Sequence, residues 1–163
     1  MGNKQKTSIN SEIDVHYADD DIDDIELFSD AVAMIAEKGG EKITLSVYNN
    51  GESLLGTINS IKTYDSIIFL DINMPAKDGI EVLTEIRNNE EFASLPVVMF
   101  STSSDKSIVE QCWEKGANLY AVKPSSFSEL IQTIEDIVRI KWIEQKLSME
   151  HFVYNTDSLK NIF

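Results

Sequence analysis

Cysteine is almost missing from this sequence: Cys112 stands alone. A disulfide framework within the chain is thereby excluded, and a reduced, cytoplasmic protein is the natural expectation. Basic residues are scarce too, with 14 Lys and Arg against 28 Asp and Glu and a formal charge of −14. Polyanions repel such a chain, which argues against non-specific binding to nucleic acid or to an anionic membrane. No apolar run approaches the roughly 20 residues that cross a bilayer, and no signal peptide is read at the start. Lys6 stands where a myristoylation signal wants Ser or Thr. Only three prolines and seven glycines occur, and no low-complexity linker. The two histidines, His16 and His151, have no companion at metal-ligand spacing. At 163 residues the chain suits one well-filled domain rather than two.

What is abundant is acid, and its placement matters. Six of the eight residues from Asp19 to Glu26 are acidic. Carboxylates favour a helix N-terminus, which accounts for Asp23, Asp24 and Glu26. It does not account for Asp19 and Asp20, which follow an apolar stretch and precede the helix. That stretch, Ile13 to Ala18, reads as a first strand. Apolar residues at helical spacing then run from Ile22 to Glu37, ended by Gly39-Gly40. A second strand spans Ile43 to Tyr48, and Asn49 with Glu52 resembles a capping box for a short helix. Ser66 to Leu70 carries the continuously apolar run Ile67-Ile68-Phe69-Leu70, and Val97 to Phe100 is another, as in strands buried on both faces of a parallel sheet. Between them lie the loop Asp71-Ile72-Asn73-Met74-Pro75 and a helix through Ile80, Val82, Leu83 and Ile86. Asp105 caps a helix carrying Cys112 and Trp113, and Leu119 to Val122 forms the last strand. Ser126 and Glu129 open a final helix expected to extend from about Phe127 to Leu147.

Five strands alternating with helices imply right-handed crossovers and a doubly wound α/β sheet. The flavodoxin-like (βα)5 order 2-1-3-4-5 is expected, with an extended last helix. Residues 1–11 read as a flexible lead-in, 12–147 as the domain, and 148–163 as a tail too apolar for a linker. In such a sheet the binding crevice lies at the carboxyl ends of strands 1 and 3. Those ends are Asp19-Asp20 and Asp71. Converging carboxylates repel one another; a hard cation resolves this, and Mg²⁺ fits because it takes few carboxylates and often holds a phosphate. Ser101 closes strand 4 and brings a hydroxyl. Lys123 closes strand 5 and brings an ammonium able to pair with a phosphoryl oxygen. Four of five strand ends therefore agree.

Asp19-Asp20, the run Ile68-Phe69-Leu70-Asp71-Ile72-Asn73-Met74-Pro75 with Asp78-Gly79, the Ser101-Thr102 step and Tyr120-Ala121-Val122-Lys123-Pro124 together resemble the receiver domain of two-component response regulators. The likeness covers roughly residues 12–140, and the segment Asn88 to Leu95 is similar to small response regulators that partner bacterial phytochromes and hybrid kinases. This resemblance implies that Asp71 accepts a phosphoryl group from a sensor histidine kinase or histidine phosphotransfer protein. It implies that Asp20 and Asp71 ligate Mg²⁺ (Mn²⁺ being able to replace it), with Asn73 contributing its backbone carbonyl and Asp19 acting through water. It gives Ser101 a bond to the acyl phosphate, Lys123 a charge pair with it, and Tyr120 the part of an inward-turning switch. A cis Lys123–Pro124 peptide is implied as well. Such a protein is not an enzyme on outside substrates; it promotes only its own phosphorylation and dephosphorylation.

Rival readings are weaker. A haloacid-dehalogenase-type phosphatase needs an acid two residues after its nucleophile, where Asn73 stands. An FMN carrier needs a phosphate loop where Asp19-Asp20-Asp21 would repel the phosphate. A receiver-shaped scaffold that no longer uses phosphate, and a phosphate relay or sink, remain the alternatives. The expected output is protein contact, with the long last helix and the apolar tail as a surface for docking or homodimerisation.

Overall fold

The computed structural model describes residues 12–143 and 147–159. The expected lead-in over 1–11, the stretch 144–146 and the tail residues Ile162 and Phe163 lie outside them.

Five parallel strands form one sheet in the order β2-β1-β3-β4-β5. They are β1 (Glu12–Ala18), β2 (Lys42–Tyr48), β3 (Ser66–Leu70), β4 (Val97–Ser101) and β5 (Leu119–Val122), joined by α1 (Ile22–Glu37), α2 (Gly51–Gly56), α3 (Gly79–Asn88) and α4 (Lys106–Glu114). After β5 come α5 (Phe127–Val138) and one short helical turn, α6 (Thr156–Leu159). The doubly wound order anticipated from the alternation is the one observed.

Side chains alternate across each strand, so the sheet has two separate cores. Val15, Tyr17, Ile67, Phe69, Val98 and Phe100 face α1 and α5, around the stacked rings of Tyr17 and Phe28. Ala18, Ile68, Leu70, Val97, Met99 and Tyr120 face α2, α3 and α4. Every residue of β3 and β4 is buried, which is why Ile67–Leu70 and Val97–Phe100 are unbroken apolar runs, with serine only at Ser66 and Ser101.

The last helix is shorter than expected. It ends at Val138, with Arg139 as its cap, and does not reach Leu147. Its buried stripe is Leu130, Ile131, Ile134, Ile137 and Val138. Another helical turn would bring Lys141 onto that stripe and carry Ile140 off it. The chain turns instead, burying Ile140 and packing Trp142 against the α1/α5 core. The short second helix also starts one residue late: Asn50, not Asn49, is its cap, accepting from the Ser53 N–H at 2.8 Å. The Asp105 and Ser126 caps are present.

Residues 148–157 return to the sheet edge. Val153 pairs with Tyr120 in parallel, with Tyr120 N–H donating to Phe152 (2.9 Å) and Tyr154 N–H donating to Tyr120 (2.7 Å). Phe152 is fully buried, its ring edge-on to Trp113 of α4 at 5.2 Å. The Tyr154 hydroxyl donates to Asp136 of α5 at 2.7 Å. Trp113 is thus a packing residue for the tail.

Candidate functional site

Register alone brings the key residues together. Ala18 and Leu70 are paired across β1 and β3, and Ser101 and Val122 across β4 and β5. Asp19 and Asp71 therefore sit side by side one step beyond the paired ends, with Asp71 N–H donating to the Ala18 carbonyl at 2.9 Å. Lys123 follows β5 in the same way, its N–H donating to the Ser101 carbonyl at 2.8 Å. One carboxylate oxygen from each of Asp19, Asp20 and Asp71 lies within 4.8 Å of the others. Asp19 and Asp71 are buried, whereas Asp20 is exposed.

The carboxylates differ in how they are satisfied. Asp19 accepts from the Tyr17 hydroxyl, from the Asp21 N–H at 2.9 Å and from Lys123 Nζ at 2.6 Å. Asp71 has a looser ion pair with Lys123 Nζ, at 3.4 Å, and a backbone hydrogen bond from Ile72. Burial, with the Asp19 charge adding to it, pushes the Asp71 carboxyl up to about 6 against the pull of Lys123. Lys123 also reaches Asp24 at 2.9 Å. Burial opposes its charge, but the hydrogen bonds to Asp19 and Asp24 outweigh that and hold its pKa above the usual lysine range. One ammonium thus serves three carboxylates, with Asp20 a fourth acid in the cluster. The set is hard, oxygen-only and short of positive charge, which is the donor chemistry a small divalent cation takes.

Backbone packing keeps the loop after Asp71 close to the strand ends. A Cβ on Gly79 would lie 2.2 Å from the Asp71 carbonyl oxygen, so only glycine lets α3 start there. Gly79 N–H donates to the Ile72 carbonyl at 2.8 Å, and Asp78 with Glu81 forms a reciprocal capping box beside it.

The other anticipated residues are placed as follows. Asn73 is exposed in the loop two residues after Asp71. Ser101 is fully buried, its hydroxyl accepting from the Ser103 N–H at 3.2 Å. Tyr120 is already turned inward and fully buried, donating to the Ser103 carbonyl at 2.7 Å. The Lys123–Pro124 peptide is trans, not cis as the resemblance implied; trans is the ordinary state of an X–Pro bond, favoured by about 0.5–1 kcal/mol, and Lys123 Nζ reaches the carboxylates from it. His16 lies outside the site, its Nδ1 3.0 Å from the Tyr48 hydroxyl. Cys112 is buried, and burial raises its thiol to about 11.

Two contributors were not read from the sequence. Tyr17 is an aromatic within β1, and its hydroxyl anchors Asp19. Asp24 passed as a helix-dipole acid; its spacing one turn beyond Asp20 was the available sign that it faces the strand ends.

The response regulator receiver domain family model matches residues 22–135. Among curated proteins, the probable methanogenesis regulatory protein FilR2 of Methanothrix harundinacea is 35% identical over 71 residues, 44% of this chain and 46% of that protein. Response regulator Rcp1 of Synechocystis is 35% identical over 79 residues, 48% of this chain and 53% of that protein. The matched part thus spans about half the length of these curated relatives. The solved structure of the phosphorylated cyanobacterial phytochrome response regulator RcpA superimposes with a TM-score of 0.69 at 25% identity, covering 82% of this chain and 96% of that one. Rcp1 in its Mn²⁺-bound form superimposes with a TM-score of 0.65 at 25% identity, covering 83% and 99%.

Proposed function

Because the chain belongs to the response-regulator receiver domain family, we propose that it takes a phosphoryl group on Asp71 and passes the change on by protein contact. The single observation that carries this reading is the meeting of Asp19, Asp20, Asp71 and Lys123 at adjoining strand ends. The donor is a phosphohistidine on a sensor histidine kinase or phosphotransfer protein, and the setting is the cytoplasm. An Asp71 carboxylate oxygen attacks phosphorus, the P–N bond breaks, and the imidazole leaves to take up a proton. Phosphoryl transfer of this kind depends on positioning and charge neutralisation. Mg²⁺, which Asp20 and Asp71 would hold directly, Asn73 through its carbonyl and Asp19 through water, supplies neutralisation when bound. Lys123 supplies more of it, being already charged and already beside Asp71. Asp19, tied by Tyr17 and the Asp21 N–H, keeps Lys123 over the pocket.

An acyl phosphate adds about −1.5 to −2 charge and three strong acceptors. The buried Ser101 hydroxyl, at the end of the strand beside β3, is the group that would donate to one of them. Ser101 and Tyr120 both bond Ser103, so the expected change is a shift of the β4–α4 loop about an inward Tyr120. Loop and tail meet at Tyr120, which makes the α4, β5 and tail face the outlet. Among the described residues the tail aromatics Phe152 and Tyr154 are engaged within the chain, so a homodimer would use the apolar groups left exposed around them, Ile143, Met149, Val153 and Phe127.

The full chain incubated with Mg²⁺ and acetyl phosphate, then weighed intact, is expected to gain the mass of one phosphoryl group. Either no gain or an equal gain in Asp71→Asn refutes the proposal, the first leaving a phosphate-independent scaffold and the second another acceptor residue.

A further inference from the structure

Lys123 is held from three sides: Asp19 at 2.6 Å, Asp24 at 2.9 Å and Asp71 at 3.4 Å. The phosphoacceptor reading uses Asp19 and Asp71 and leaves Asp24 without a part. An acid in the first turn of α1 is explained by the helix dipole, but Asp23 already fills that role from an exposed position. Asp24 instead reaches back over the strand ends, its side chain 32% exposed.

An ammonium has three donors. Its shorter contacts are with Asp19 and Asp24, so moving in from 3.4 Å to a close bond with a phosphoryl oxygen on Asp71 slackens one of those two. Asp19 is buried and fixed by Tyr17 and by the Asp21 N–H. Asp24 is about one-third exposed and can be rehydrated where it stands, so its contact is given up at less cost than that of Asp19. We propose that Asp24 is a positioning residue, a counter-latch that holds Lys123 back from Asp71 until the phosphoryl group arrives. This rests on Asp71 being the acceptor. Asp24 then sets how readily the phosphorylated arrangement is entered: part-exposed ion pairs of about 0.5–1 kcal/mol correspond to roughly a two- to five-fold effect.

The test is calorimetric titration of the full chain with beryllofluoride, an acyl-phosphate mimic, in saturating Mg²⁺. The variants are Asp24→Asn and Asp23→Asn, each also made with Lys123→Ala. Both single changes remove one negative charge from the same helical turn, so a general field effect moves them equally. The latch predicts about two- to five-fold tighter binding for Asp24→Asn alone, and no such gain once Lys123 is gone. Equal shifts in the two single variants, or an Asp24 effect that survives Lys123→Ala, overturn it while the acceptor reading stands. No beryllofluoride uptake by the unsubstituted chain sinks the acceptor reading and the latch with it.

Discussion

Replacing Asp71 by Asn is expected to stabilise the metal-free protein. The carboxyl is 5% exposed and is pushed from 3.8 up to about 6, first by burial and then by Asp19, against the opposing pull of Lys123. Two pKa units correspond to about 3 kcal/mol, an upper bound because Asn also forfeits the loose pairing with Lys123. For a chain of this size about 2–3 kcal/mol is roughly 5–10 °C in Tm. The sign follows from linkage. A raised folded-state pKa means the folded protein holds its proton more tightly, so the penalty is full above about 6 and vanishes below about 4. Differential scanning calorimetry in chelator from pH 8 to pH 4 should show the variant ahead at high pH and the gap closing on acidification. Saturating Mg²⁺ should then raise the unsubstituted chain more than the variant, by roughly 2–3 kcal/mol at 100 times Kd. A variant no more stable at pH 8, or a gap that widens towards pH 4, refutes the claim that Asp71 is held in an electrostatically costly state.

Two further outcomes follow from packing. Gly79→Ala places a Cβ 2.2 Å from the Asp71 carbonyl oxygen, so the loop must move; a cost of about 1–3 kcal/mol in urea unfolding is expected, together with weakened Mg²⁺ binding, and a neutral variant contradicts the close approach. Phe152→Ala empties a fully buried position between Trp113 and Tyr120 and is expected to cost about 3–5 kcal/mol, with a shift in Trp113 emission; a loss below 1 kcal/mol would mean that the tail does not hold to the sheet edge in solution.

Much of the fold was legible because β3 and β4 are buried on both faces and read as unbroken apolar runs. Their ends fall where Asp71 and Ser101 stand, so the sheet order placed four site residues before any contact was known. The end of α5 was not legible: Ile140, Trp142 and Ile143 carry on the apolar content, and only the step of Lys141 onto the buried stripe marks the break. Asp24 was hidden for a different reason, since a helix start explains an acid there equally well. Tyr17 was hidden because its use depends on a hydroxyl reaching a carboxylate two residues on, across the end of the strand. The tail's seat at Tyr120 depends on a single bridge far along the chain, which composition reports only as apolar content needing a partner.

The most direct measurement is chemical trapping of the phosphorylated residue. The full chain, phosphorylated with acetyl phosphate in Mg²⁺, is treated with borohydride, which reduces an aspartyl phosphate to homoserine, and mapped by peptide mass spectrometry. Homoserine at position 71 alone, lost when Mg²⁺ is chelated, is the predicted result. Homoserine at Asp19 or Asp20 instead, or none at any position, would contradict the assignment of Asp71 as the phosphoacceptor.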